Sequence, residues 1–203
     1  QQAGSDSHRL NFLGRLWRAM TRYEIFCRIA PLLKDQLVIC NIGAPSQELF
    51  AIMDQPSNFY MLGTMGLASS IGLGLALTQA KTVISIDGDG SILTNLGTLP
   101  TIGNHCPANY ILLIIDNGSY GSTGDQPTYT SGKTDLAGIA KSAGCDRVIQ
   151  VEGKDIRKTL ENAIKIQKGT VIVVKCASGN FTVPVIPIDP VVIKDRFMKA
   201  IAN

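Results

Sequence analysis

Histidine is nearly absent from this chain, with two in 203 residues, and aromatic residues make up only 6%. Cysteine is sparse as well. Cys27, Cys40, Cys106, Cys145 and Cys176 are odd in number, widely spaced, and form no C-x-x-C pair. These shortages weigh against a disulfide framework and a zinc site and point to the reducing cytoplasm, with each cysteine acting as a small buried hydrophobe. Charged residues account for 17% of the chain and occur in no block of one sign. The net charge is only +3, and much of that excess sits where Arg9, Arg15 and Arg18 outnumber Asp6. Nucleic acid therefore has no basic face to bind. One uncharged segment, Asn58 to Ala80, is long enough for a bilayer span. Gly63, Thr64, Gly66, Ser69, Ser70, Gly72 and Gly74 dilute it, so it is expected to be a buried strand and helix, with no membrane contact.

What remains is a chain that is 45% hydrophobic, enough for one domain with a substantial core. Residues 1–19 are polar, then basic, and Met20 resembles a natural start, so 1–19 is read as a leader, tag or linker and 20–203 as the single domain. Thr21 to Lys34 carries apolar residues at helical spacing with Thr21 as a possible cap. Apolar runs at Leu37–Cys40, Phe59–Leu62, Thr82–Ile86, Tyr110–Ile115, Val148–Val151 and Val171–Lys175 alternate with helical segments. That pattern predicts an α/β fold, a doubly wound parallel sheet of about six strands with helices on both faces. The glycines of Gly66 to Leu77 sit inside a buried helix and suit close helix packing better than a dinucleotide fingerprint.

The stretch that carries chemistry runs from Gly88 to Tyr120. Gly88-Asp89-Gly90-Ser91 and Asp116-Asn117-Gly118-Ser119-Tyr120 each follow a buried strand, so both loops leave the carboxyl ends of parallel strands, where open α/β sheets bind ligands. Asp89 offers a hard anionic oxygen and Asn117 a neutral one, sufficient for a magnesium ion that also carries a diphosphate. Gly88 and Gly90 let the backbone approach, and Ser91 with the amides of the next helix would face the same anion. A second strand-to-helix loop, Asn41-Ile42-Gly43-Ala44-Pro45-Ser46, is either another anion site or a plain capped helix start, with Ser46 as the cap. His105 is expected in a surface turn.

The two loops at this spacing resemble the cofactor signature of thiamine diphosphate enzymes. Together with Gly63-Thr64-Met65-Gly66-Leu67-Ala68 and Ser122-Thr123-Gly124, they resemble in particular the cofactor-binding half of the sulfopyruvate and phosphonopyruvate decarboxylase family. The resemblance implies thiamine diphosphate and Mg²⁺, with Asp89, Asn117 and the Ser119 carbonyl as metal ligands. It implies cofactor contacts at Gly43, Ala44, Ser46, Gly63, Met65, Gly88, Gly90, Ser91, Asn117, Ser119 and Tyr120. Met65 matches the apolar wedge between the cofactor's two rings, and Gly63 the carbonyl facing its 4′-amino group.

It further implies decarboxylation of 3-sulfopyruvate in coenzyme M biosynthesis, with 3-phosphonopyruvate as the close alternative. Ser122, Thr123, Gln126 and Thr128, in the long polar loop after Asn117, are the expected contacts to a small anionic 2-oxo acid. One component is missing from the chain. The family's catalytic glutamate sits on a pyrimidine-binding domain, for which there is no room before the first strand. Glu24 and Glu48 are not candidates, so no catalytic residue is assigned here and a pyrimidine-binding α subunit is expected to supply it. A non-catalytic cofactor-binding or assembly subunit is the reading from another class, and Asp89, Asn117 and Met65 argue against it.

Overall fold

The computed structural model describes residues 19–202; the expectations for residues 1–18, the leader among them, lie outside the described residues. Helix α1 (Arg22–Leu33) starts from a reciprocal capping box, in which Thr21 accepts from the Glu24 amide and Glu24 accepts from that of Thr21. It feeds β1 (Leu37–Cys40), then α2 (Ala44–Ile52), β2 (Asn58–Tyr60), α3 (Ala68–Ala76) and β3 (Val83–Gly88). Two short helices, α4 (Asp89–Thr94) and α5 (Thr98–His105), stand where the sequence suggested one, because the chain turns out of helical geometry at Asn95. Next come β4 (Tyr110–Asp116), a hairpin of β5 (Ser119–Tyr120) and β6 (Gln126–Pro127), α6 (Leu136–Ser142), β7 (Val148–Glu152), α7 (Ile156–Ile166), β8 (Thr170–Lys175) and α8 (Pro190–Ile201).

Six of these strands form one parallel sheet in the order β2-β1-β3-β4-β8-β7. Buried on both faces, its inner strands read as continuous apolar runs, and alternate residues divide between two cores. Ile111, Leu113 and Ile115 of β4 join α1, α2 and α7 on one face, while Tyr110, Leu112 and Ile114 join α3, α5 and α6 on the other. The steps β1→β2 and β7→β8 run toward β2 and carry helices on the first face. The steps toward β7 carry theirs on the second. One crossover hand throughout requires that arrangement. Since the order reverses between β1 and β3, a crevice opens at their carboxyl ends.

Local chemistry seats α3 on β3. The Ser85 hydroxyl donates to the Ala68 carbonyl at 2.9 Å, and the Tyr110 hydroxyl donates to that of Ser69 at 2.7 Å. A Cβ on Gly72 would fall 1.9 Å from Ser85 Oγ, whereas one on Gly74 would meet nothing within 4 Å. The close-packing expectation therefore holds for Gly72 and fails for Gly74. The Asn58–Ala80 segment folds as β2 and α3, and among the described residues no helix is long and apolar enough to cross a membrane. His105 ends α5 and is exposed, instead of lying in a turn beyond it. Cys40 and Cys145 are buried as expected; Cys27 is exposed on α1.

Candidate functional site

A cleft of about 160 Å³ opens at the switch point, lined by the loops after β1, β3 and β4. Asp89, the first residue of α4, is 1% exposed. Its Oδ2 accepts from Thr128 Oγ1 at 2.5 Å and lies 2.9 Å from Thr130 Oγ1, which in turn lies 2.8 Å from Asp116 Oδ1. Thr130 has one proton to give, so two buried carboxylates compete for it. Asp116 is further held by an ion pair with Lys175 and by the Gly118 amide. Burial raises the Asp89 carboxyl above its ordinary range against the pull of the two threonines, and the nearby Asp116 charge adds to the rise. Asp87, also on the cleft wall, is pushed up to about 7 by burial, and its Oδ2 has no partner. The cleft floor thus has an excess of anionic oxygen that a cation would relieve.

The remaining expected residues divide into those the fold brings to the cleft and those it does not. Gly43, Met65, Gly88, Gly90, Ser91, Asn117, Ser119, Tyr120, Ser122 and Thr123 all line it. Asn117 Oδ1 accepts from the Ser119 amide at 3.1 Å, a turn that fixes its side chain beside Asp89's loop. The Tyr120 ring lies against Gly90, where a Cβ would fall 2.3 Å from Cε1, so only glycine leaves room for the backbone to approach. Ser91 Oγ accepts from the Gly66 amide at 2.6 Å and donates to Asn41 Oδ1, tying three loops together.

Other expectations shift. Gly43 (φ 78°), not Ser46, caps α2; Ser46 lies one turn inside and donates its hydroxyl to the Asn41 carbonyl at 2.7 Å. Neither Ala44, Ser46 nor Gly63 lines the cleft. Thr128, expected over substrate, is buried beneath it on Asp89, and Gln126 is exposed and bonded to Thr123. Thr130, Asp116, Lys175 and Arg22 were missed. The acidic residue ending the Tyr110–Ile115 run was a readable signal, of the same kind as Asp89. Among the described residues no group of three His, Cys, Asp or Glu side chains is set to hold a metal. A cation on Asp89 would draw its other ligands from neutral or non-protein oxygens, as magnesium on a diphosphate does.

The family described as thiamine pyrophosphate enzyme, C-terminal TPP binding domain, matches residues 42–175, from the β1 loop to the end of β8. The chain belongs to that family. It is 48% identical over 182 residues to the sulfopyruvate decarboxylase subunit beta of Methanococcus maripaludis, covering 90% of this chain and 98% of the relative. The Methanocaldococcus jannaschii subunit of the same name is 52% identical over 168 residues, 83% and 89% of the two chains. A Streptomyces viridochromogenes phosphonopyruvate decarboxylase is 43% identical over 116 residues, 57% of this chain and 29% of the relative. Among solved structures, a putative thiamin diphosphate-dependent enzyme from Mycobacterium smegmatis superposes with a TM-score of 0.62 at 22% identity. That match covers 78% of this chain and 32% of the other, and it establishes the fold.

Proposed function

We propose that this chain is the thiamine diphosphate-binding subunit of a Mg²⁺-dependent 2-oxo acid decarboxylase whose substrate is 3-sulfopyruvate. The reading is carried by Asp89, buried at the cleft floor of a chain that matches a sulfopyruvate decarboxylase β subunit over 98% of that relative's length. The residues present fit the cofactor. Asp89, Asn117 and the Ser119 carbonyl would hold magnesium on the diphosphate, and the backbone of Gly88, Gly90 and Ser91 would receive the phosphates. Gly43 would let the β1 loop come close on the opposite wall. When bound, thiamine diphosphate supplies the electron sink for cleaving the bond between a 2-oxo carbon and its carboxylate. This chain's own residues bind and orient. Thr128 and Thr130 hold Asp89 in place, and Met65 and Tyr120 present apolar surface that keeps water from the reacting carbon.

Among the described residues, the glutamate that such chemistry needs is not on the cleft wall. Glu48 is the one buried glutamate among the described residues, and it is occupied by Arg22 and the Phe181 amide. A pyrimidine-binding partner subunit would provide it. Met65 on the cleft wall and Leu62, Leu67 and Ile71, close to it in sequence, are each at least 36% exposed and would offer that partner an apolar surface. The deciding experiment is carbon dioxide release from 3-sulfopyruvate and from 3-phosphonopyruvate by this chain with thiamine diphosphate and Mg²⁺, with and without the partner. Turnover of 3-sulfopyruvate only by the pair, lost on chelation, is expected. Faster turnover of 3-phosphonopyruvate would reassign the substrate, and turnover of neither would overturn the reading.

A further inference from the structure

We propose that Arg22 binds the terminal anion of the substrate, the sulfonate remote from the carboxylate, and so sets the preference for doubly over singly charged 2-oxo acids. This rests on the decarboxylase reading of the cleft. Arg22 is the first residue of α1, is 6% exposed and lines the cleft, where among the described residues it is the single cation beside Asp87 and Asp89. A dianionic substrate approaching two buried carboxylates needs hydrogen-bond donors directed at its second anion, because magnesium would be committed to the diphosphate.

The guanidinium is oriented for that task. Nε and Nη2 donate to the two Glu48 oxygens at 2.8 and 2.9 Å, and the second proton of Nη2 goes to Asn180 Oδ1 at 2.7 Å. Of the five N–H groups only the two on Nη1 make no bond to a described residue, and Nη1 is not among the enclosed unpaired atoms. Arg22 itself lines the cleft. Pairing with Glu48 cancels most of the net charge, so Arg22 acts as a directed, charge-assisted donor whose planar fork suits a sulfonate or phosphonate. Asn180 also donates to the Gly121 carbonyl at 2.7 Å. The same guanidinium is thereby joined to the hairpin that carries Ser122 and Thr123.

The test uses the complex reconstituted with the partner subunit. Removing Arg22 alone would strand a buried Glu48, so the variants are Arg22→Met/Glu48→Gln together, and Arg22→Lys, which keeps a cation beside Glu48. Expected for the double variant is a loss of about 10–100-fold in kcat/KM for 3-sulfopyruvate, the size of a lost charge-assisted hydrogen bond, with 2-oxobutanoate changed less than about threefold. Calorimetric affinity for thiamine diphosphate with Mg²⁺ should stay within about twofold of the parent, since Arg22 serves the substrate end of the cleft. Equal losses on both substrates, or a parallel loss of cofactor affinity, would overturn the proposal. Should the double variant fail to fold, Arg22→Lys decides on the same ratio, which must fall at least about threefold because a point charge replaces the fork. Should the parent turn over neither substrate, the decarboxylase reading fails while Arg22 is still tested by binding. The affinity for the unreactive analogue 3-sulfolactate must then weaken by the same 10–100-fold factor, and an unchanged Kd would overturn the assignment.

Discussion

At the carboxyl ends of β1, β3 and β4 the chain buries Arg22, Glu48, Asp87, Asp89 and Asp116, which are all the buried charged side chains among the described residues. At the amino ends of β4, β7 and β8 the side chains of His105, Asp146, Arg147 and Lys168 instead border a second cavity, of about 500 Å³, and none is buried. What holds that end together is contact. A Cβ on Gly103 would fall 2.4 Å from the Ala143 carbonyl oxygen, and one on Gly169 2.3 Å from Cys106 Sγ. Burying a charge costs free energy unless a partner offsets it, whereas close packing stabilises outright. The two ends therefore differ in emphasis: one gathers the buried carboxylates, and the other is closed by packing, with Arg147 Nε its one enclosed unpartnered atom among the described residues.

Substitutions should separate the two. If Asp89 is the magnesium ligand proposed above, Asp89→Ala is expected to weaken Mg²⁺-dependent thiamine diphosphate binding by more than 100-fold, roughly 3 kcal/mol, because a direct ligand and not a supporting group is removed. The unfolding midpoint of the apo chain should hold or rise, since a desolvated carboxylate is lost with it. Calorimetry and thermal melts on the same samples decide this, and unchanged cofactor affinity would dismiss Asp89 as a ligand. Gly103→Ala should do the reverse. Backbone on the other side cannot yield, so about 1–3 kcal/mol of stability goes while cofactor affinity stays put.

Much of this division was legible in the sequence, and the illegible part has a physical cause. Leu37–Cys40 was placed to the residue and Tyr110–Ile115 to within one, because strands covered on both faces have nothing but apolar residues to show. Asp89 and Asn117 stood out because each sits in a glycine-bearing loop just after such a run. Thr128 and Thr130 did not, since a hydroxyl in a glycine-rich loop looks alike whether it faces solvent or a buried carboxylate. Arg22 was hidden for another reason. Its partner Glu48 is 26 residues away and Asn180 is 158, and no local periodicity encodes such a meeting. Ser46 misled because a serine near a helix start is usually its cap, whereas here Gly43 takes the left-handed geometry that begins α2.

A pH titration sharpens the contrast at the charged end. Asp87 keeps its proton to about pH 7 when folded, against an ordinary 3.8. Between those values the native state binds more protons than the unfolded chain, so stability falls as pH rises toward 7 and the loss is complete above it. Asp89 is shifted in the same direction and adds to the slope. Asp87→Asn should flatten the profile and leave the apo protein about 1–2 kcal/mol more stable than the parent at pH 8. Denaturant melts from pH 5 to 8 in chelator measure it. A parent profile that rises with pH would mean the carboxylate is already satisfied by the protein.

The smallest expected effect tests where packing ends and a waiting surface begins, and α3 holds both within three residues. Gly72 faces β3, with Ser85 Oγ in the space a Cβ would need, so Gly72→Ala forces the helix off the strand. Gly74 points outward on the stripe that carries exposed Leu67 and Ile71, with nothing near. There glycine only adds backbone freedom to the unfolded chain, and Gly74→Ala should stabilise the isolated subunit by about 0.5–1 kcal/mol, or about 2–4 °C in Tm. Such a gain is open to the chain, yet it keeps glycine, which fits a helix face that another backbone approaches in the assembled enzyme. The variant should then melt higher alone and associate more weakly with the partner subunit. A higher Tm with unchanged association would leave Leu67 and Ile71 as the contact surface and free Gly74 from it. A lower Tm would show that the outer face of α3 is already packed within the isolated chain.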